Sequence, residues 1–305
     1  MMLTRNPRIV VIGSLNVDLT TFIDRMPEPC ETIFGREFRL GFGGKGGNQA
    51  AAARLCGADV AMVARVGDDL FGPATVADLN AFGIDSSHVF TTPNVSTGVA
   101  PIFIDEAGQN RILVVKGAND LLTPGDVDHA RSLIEAADVV ILQLEVPLDT
   151  VYHALDVARS AGVISILNPA PAQILENRRA AAAAYLIPNE VEAPVLMGVD
   201  MDVDNVGSRS LRDSPFERII VTLGSKGAFY ASRSEAFHVP GIQVSAVDTS
   251  GAGDAFIGSF AYCLATGACV RDAIFRANIY AGLSVTKPGT RSSFPTRRDW
   301  VNAWV

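Results

Sequence analysis

Residues 8–18 read RIVVIGSLNVD. The run Arg8–Gly13 is apolar, rich in Val and Ile, and shows no polar alternation. That pattern suits a strand of a parallel sheet covered on both faces. It stops at a glycine, and polar groups follow at once: Ser14, Asn16 and Asp18. The same sequence of events recurs along the chain. Val60–Val66, Val139–Leu144, Val163–Leu167, Tyr185–Pro188 and Arg218–Leu223 are further apolar runs of strand length. Helical patterns lie between them at Gly47–Cys56, Asp69–Phe82, Thr123–Ala136 and Leu148–Ala161. Gly57, Gly83 and Gly162 stand just past three of these, where a helix stop is expected. Repeated β–α units predict an α/β fold with a doubly wound, mainly parallel sheet covered by helices on both faces. With no internal repeat and no linker-like stretch, the expectation is a single domain over residues 1–305.

Two stretches break the pattern. Leu19–Leu40 and Ser87–Asn119 are more polar, alternate along the chain and carry turn residues such as Pro27, Pro29 and Gly108. They are expected to stand outside the main sheet as β segments, either as a small β lid over a site or as edge hairpins.

In open α/β sheets ligands sit beyond the carboxyl ends of the strands. Glu145 follows VVILQL, Asn168 follows VISIL, and Asn189, Glu190 and Glu192 follow YLIP. Gly224, Ser225, Lys226 and Gly227 follow RIIVTL. Any one of these fits a turn or a helix cap, but polar groups after five strands at one edge mark a site. Asn189 fits a cap and Glu192 a first-turn acid favoured by the helix dipole. A carboxylate there also suits Mg2+ held through its waters.

Residues 247–260 read VDTSGAGDAFIGSF. A strand-like QVSAV leads into Gly251, Ala252 and Gly253 and then into an apolar helix. Small residues at a helix start leave N–H groups free to face an anion. Asp254 in the first turn is an ordinary helix-start acid or, beside such a loop, a base for a substrate hydroxyl. Positioning and charge stabilisation are what phosphoryl transfer requires.

Two other nucleotide motifs were weighed. GxxxxGK[ST] does not occur, which disfavours a P-loop enzyme. A GxGxxG does occur at Gly41, Gly43 and Gly46, with Asp59 further on. The segment before it, TIFGREFRL, is polar and alternating, so a dinucleotide oxidoreductase is disfavoured.

Composition narrows the class. The chain has 305 residues, 48% apolar and 19% charged, enough to bury a large core, and a formal net charge of −8. No long basic run supports nucleic acid or an anionic membrane as a partner. Cys30, Cys56, Cys263 and Cys269 show no CxxC spacing, so neither a zinc site nor a disulfide framework is expected. Apolar runs fall short of the roughly 18 residues that span a bilayer. The opening MMLTRNPRIVVIG lacks the features of a secretory leader, so the expectation is a cytoplasmic protein.

The chain resembles the ribokinase, or PfkB-type, family of sugar kinases along almost its whole length. GFGGKGGNQAAAARLCG (Gly41–Gly57) is similar to the family's N-terminal signature and DTSGAGDAFIGSF (Asp248–Phe260) to its C-terminal one. GSLNVD, STGVA, QLEVP, NPAPA, PNEVE and TLGSKG add to the likeness. The GGKGxNQ form, with Lys45, points within the family to ribokinases. The resemblance implies that Asn16, Asp18, Gly44, Lys45, Asn48 and Glu145 bind sugar hydroxyls. It implies that Asp254 is the base, with the amides of Gly251, Ala252 and Gly253 as an anion hole. Asn189 and Glu192 would serve phosphate and Mg2+. Thr222, Gly224, Gly227, Gly253 and Asn278 would line the ATP site. A monovalent cation, usually K+, would be held by Asp248, Ser250, Ser284, Lys287, Gly289 and Ser293, mostly through carbonyls. The chain departs from the family pattern at Gly47, at Lys287-Pro288 and at Arg291, and Asp200–Asp213 leaves the helix before the next strand poorly defined. The implied activity is transfer of the ATP γ-phosphoryl to the primary hydroxyl of a pentose, D-ribose first. Deoxyribose, pseudouridine, adenosine and a non-catalytic sugar binder are the alternatives. A homodimer through the β lid is expected, since pairing would hide its strand edges.

Overall fold

A computed structural model describes residues 5–197 and 214–304. Thirteen strands among the described residues form two sheets. The larger has nine strands in the order β13-β12-β11-β10-β9-β8-β1-β4-β5. From β5 (Asp85–Thr92) through β4 (Asp59–Gly67), β1 (Arg8–Ile12), β8 (Val139–Leu142), β9 (Ile164–Leu167), β10 (Tyr185–Leu186) and β11 (Arg218–Thr222), all neighbours are parallel. The hairpin of β12 (Ala228–Ser232) and β13 (Ala236–Val239) closes one edge antiparallel. Each expected buried run is a strand here.

The lack of alternation has a direct cause. Ile9 and Val11 of β1 point into one apolar core and Val10 and Ile12 into another; Val139 and Ile141 of β8 split from Val140 and Leu142 in the same way. Helices cover both faces, so neither set meets water. The first core is filled largely by the helices Lys45–Cys56, Ala252–Ala265 and Val270–Ser284, the second by Leu148–Ser160 and the short helices Pro124–His129 and Arg131–Glu135. Thr123–Ala136, expected as one helix, breaks at Ala130.

The second sheet has the order β3-β2-β6-β7, made of β2 (Asn16–Phe22), β3 (Glu37–Gly43), β6 (Gly98–Ile104) and β7 (Asn110–Ile112). β2 runs antiparallel to β3 and parallel to β6. Successive side chains point to opposite faces. Asn16 and Asp18, in register with Gly43 and Gly41, lie on one face. Leu19, Leu40 and Pro101 lie on the other, where Phe38, Leu40 and Leu113 are exposed.

Two expectations need correction, and one lies outside the described residues. Ser87–Thr92 does not stand outside the main sheet: it completes β5, paired parallel with β4. It alternates because an edge strand has a half-wet face. QVSAV (Gln243–Val247) forms no strand; two backbone bonds, Val247 N and Asp248 N to Val285 O, tether its end instead. The expectation for Asp200–Asp213 falls outside the described residues.

Candidate active site

Two helix starts face the carboxyl edge of the main sheet. The first belongs to Lys45–Cys56. Gly44 before it has φ 81°, and a Cβ there would meet Asn16 N at 2.7 Å. Glycine is the residue this turn accepts. The first amides are all taken by protein: Lys45 N donates to Glu145 Oε2 (3.1 Å), Gly46 N to Ser14 Oγ (3.3 Å) and Gly47 N to Ser14 O (3.0 Å). Ser14 Oγ also donates to Glu145 Oε2.

The second start belongs to Ala252–Ala265, with Gly251 at φ 74° before it and no side-chain cap. The amides of Gly253 and Asp254 meet no acceptor among the described residues, and a Cβ on Gly253 would stand in open space. Free N–H groups, the helix dipole and an open approach together suit an anion.

Small residues bring the two starts together. Gly258 lies against the backbone of the first helix, where a Cβ would meet Gln49 O at 2.5 Å and Ala52 Cβ at 2.6 Å. This close crossing sets Asn48 and Gln49 against Asp254. Asn48 Nδ2 donates to Asp254 Oδ2 (3.0 Å) and Gln49 Nε2 to Asp254 Oδ1 (2.9 Å). Asp254 is buried. Burial pushes its carboxyl up, and Lys45, Asn48 and Gln49 offset only part of that. A raised carboxylate in a cleft is suited to proton transfer. Burial pulls the Lys45 ammonium down, but Asp254, Glu145 and Glu192 outweigh it and leave it raised.

On the second sheet, Asn16 Oδ1 accepts from Asn119 Nδ2 (2.7 Å), and Asn16 Nδ2 reaches Glu145 Oε2 at 3.5 Å. Asp18 has no hydrogen-bond partner among the described residues. Its carboxyl is pushed up to about 6, first by burial and further by Glu145 and Asp254, against the pull of Arg291.

The cleft continues past Asp254 along Asn168, Asn189, Glu192 and Thr222. Asn189 and Glu192 are a helix cap: Asn189 Oδ1 accepts from Glu192 N (2.8 Å) and Glu192 Oε2 from Asn189 N (2.9 Å). Both also face the same cleft as Lys45 and Asp254, so serving as a cap leaves them open to a ligand. Burial pushes the Glu192 carboxyl up, against the Asn189 amide and Lys45.

Beyond Thr222 a second, more apolar pocket opens, lined by Gly224, Gly227, Ile242, Val244, Ala281 and Val285 among others. Asn278 lines it too, but its amide donates to Val239 O (3.0 Å) and Pro240 O (3.1 Å), which fixes the turn behind Gly227. The pocket's shape and apolar walls suit a flat heterocycle.

Asp248 joins two segments of the expected cation loop, accepting from Ser250 N (2.9 Å) and Gly289 N (2.9 Å). Burial pushes its carboxyl up, but these amides outweigh it and hold it below the usual range. The Ser284 and Ser293 hydroxyls donate to Ala281 O and Thr290 O, and Lys287 is exposed.

Sequence reasoning passed over Gln49, Gln143, Asn119 and the role of Arg291. Gln143 Nε2 donates to Gln49 Oε1 (2.7 Å), whose Nε2 also reaches Asn168 Oδ1 (3.1 Å). An amide inside a buried apolar run such as VVILQL is the signal that was there to use, because buried amides need partners. Arg291 donates to Asn48 Oδ1 from a loop 243 residues away in sequence.

Known proteins resemble the chain over nearly its whole length. The profile of the pfkB family carbohydrate kinase covers residues 6–297. A deoxyribokinase of Salmonella typhi is 44% identical over 292 residues, covering 94% of this chain and 95% of that protein. A ribokinase of Bacillus subtilis is 39% identical over 291 residues, covering 95% and 97%. The structure of Arabidopsis thaliana ribokinase complexed with ribose and ATP superposes with a TM-score of 0.89 at 28% identity, covering 98% of both chains.

Proposed function

The chain belongs to the pfkB family of carbohydrate kinases and is a phosphotransferase with an alcohol acceptor; from that premise we propose that it transfers the γ-phosphoryl of ATP to the primary hydroxyl of D-ribose. The observation that carries the substrate is Asp18. A carboxylate with no hydrogen-bond partner among the described residues, on the cleft face of the second sheet beside Asn16, can accept from two neighbouring hydroxyls at once. A site with such a group unmatched discriminates against an analogue lacking one hydroxyl. Asn16, Glu145, Lys45 and Asn48 complete the polyol side, with Gly44 supplying the turn.

Asp254 takes the proton of the reacting hydroxyl. The amides of Gly251 and Gly253, with that of Asp254 beside them, hold the charge on the transferring group; Ala252 N, expected among them, donates to Thr249 O (3.3 Å) instead. ATP lies across Thr222, Gly224 and Gly227, its base in the apolar pocket near Asn278.

The donor sets fit the two metals the family implies. Glu192 keeps Oε1 without a hydrogen bond among the described residues, and one carboxylate oxygen suits a Mg2+ that retains its waters. Asp248 with carbonyls of Ser250, Ser284, Lys287, Gly289 and Ser293 is an oxygen set of low charge, as a monovalent cation accepts. When bound, the metals would supply positive charge to the phosphates and to the anion hole. Among the described residues no group of three His, Cys, Asp or Glu is placed to hold a metal, so neither site is an acidic cage.

We also propose that two copies pair through the outer face of the second sheet, where Phe38 (59% exposed), Leu40 and Leu113 stand in water. The second sheet would then act as a lid on the sugar. No helix among the described residues is long and apolar enough to cross a membrane, and four free cysteines fit a reducing cytoplasm.

A second reading, 2-deoxy-D-ribose as substrate, is favoured by the 44% identical deoxyribokinase. ADP release with Mg-ATP, measured on ribose and 2-deoxyribose with and without K+, decides between them. A higher kcat/KM on ribose is expected. Preference for 2-deoxyribose would move the substrate and leave the base in place, and silence on both would overturn the proposal.

A further inference from the structure

Arg291 is the most deeply buried cation near the site, its side chain 5% exposed. Its three nitrogens reach three different elements. Nη1 donates to Asp78 Oδ2 on the helix Phe71–Ala81 (2.6 Å), Nη2 to the Gly43 carbonyl at the end of β3 (2.7 Å), and Nε to Asn48 Oδ1 on the helix Lys45–Cys56 (3.0 Å). A buried guanidinium persists only if its charge is met and its N–H groups are matched. Asp78 meets the charge, with Asp18 and Asp254 further off.

The room for it comes from Gly47. A Cβ on that residue would overlap Arg291 Nη2 and press on its Cζ at 3.1 Å. Gly47 has no need of glycine for its backbone, since it sits inside the helix with no positive φ. Its missing side chain makes room first for the guanidinium and then for Leu15 Cδ2, which a Cβ would meet at 3.0 Å.

We propose that Arg291 is a positioning residue for the reaction: it fixes the orientation of Asn48, and Gly47 is the space that lets it do so. The step is one of hydrogen-bond direction. A guanidinium carries donors only, so the Asn48 carbonyl oxygen must face it. The Asn48 amide nitrogen is then turned toward Asp254 Oδ2, where it donates at 3.0 Å. Were the amide reversed, its oxygen would face the Asp254 carboxylate and its nitrogen the guanidinium, two repulsive contacts at once. Asp78, Arg291, Asn48 and Asp254 thus form one directed chain that runs from a distant helix to the reacting hydroxyl. Its near end rests on the reading of Asp254 as base.

The test is a double-substitution cycle on the full chain, with kcat, sugar KM, ATP KM and melting temperature read for each protein. R291Q is expected to lower kcat by about tenfold and to raise sugar KM, with ATP KM within about twofold, since neither Arg291 nor Asn48 lines the apolar pocket. G47A is expected to show the same pattern, because its methyl displaces the guanidinium. In the R291Q background G47A is expected to add less than about twofold, as sites that share one function are non-additive. R291K restores charge without the fork and is expected to recover only part of kcat. A harmless G47A, effects that multiply in the double variant, or a fall in melting temperature with kcat and sugar KM unchanged would each overturn the proposal. If R291Q does not fold, D78N and G47A carry the same comparison on the intact Arg291. The base is judged separately by D254N: retained turnover there removes the base, while the Gly47–Arg291 coupling is still read on sugar KM.

Discussion

The turns at Gly44 and Gly251 look alike in sequence: small residues, a left-handed or positive-φ glycine, then a long buried helix. Their amides are used in opposite ways. At Gly44 the first N–H groups are satisfied from within, by Glu145 and Ser14. Past Gly251, Ala252 N donates to Thr249 O, but the amides of Gly253 and Asp254 meet no acceptor among the described residues. One helix start is sealed and holds side chains in place; the other is left exposed to a ligand's charge. A glycine-rich turn therefore does not announce an anion site by composition. What distinguishes the two is whether the neighbouring loop brings its own acceptors.

The largest expected effect concerns the open start. D254N should lower kcat by about a thousandfold while leaving ATP affinity nearly unchanged, since a general base contributes about 10²–10⁴ in rate. Turnover within about tenfold of the parent, roughly 1.4 kcal/mol, would mean the carboxylate only balances Lys45. Alanine at one glycine of each turn sharpens the contrast. Gly46→Ala puts a Cβ 2.7 Å from Ser14 N and O, and the sealed turn should lose about 2 kcal/mol of stability. Gly253→Ala meets nothing within 4 Å, so melting temperature should hold while kcat falls about tenfold, roughly 1.4 kcal/mol, as the methyl crowds the anion. Denaturation and steady-state rates on the same pair separate the two, and a destabilised Gly253→Ala with full activity would reverse the assignment.

The smallest effect is in pH. In the proposed role Asp18 must be ionised to accept from sugar hydroxyls, and burial pushes its carboxyl up to about 6. Sugar KM should therefore be flat above that value and rise as pH falls through it, about tenfold one unit below. D18N should bind sugar weakly and without this limb. A parent profile flat down to pH 4.5 would show Asp18 to be a stronger acid than its burial implies.

Much of the fold was legible because β1, β8, β9 and β11 are buried on both faces, and a mostly apolar run with no alternation admits few other readings. β5 was misplaced because DSSHVFTT alternates, as the strands of the second sheet do; edge position and separate-sheet membership leave the same trace. Asp254 was legible because its loop is local in sequence. Arg291 was not, since nothing near it in the chain reports Asn48, Gly43 or Asp78. Gly47 and Arg291 stood out as two separate departures from a family pattern, and only their contact in space makes them one.

The two-faced strand β2 has one more consequence. Asn16 and Asp18 face the cleft only because Val17 and Leu19 face away, with β3 and β6 locked to the same register on either side. A single inserted or deleted residue between Leu15 and Leu19 would exchange the two faces, sending the carboxylate to the outer surface and a leucine into the sugar site. Point substitutions in this stretch alter one contact at a time, whereas a change of length by one alters all of them. Insertion–deletion scanning should find β2 intolerant to a degree that amino-acid scanning of the same positions does not reveal.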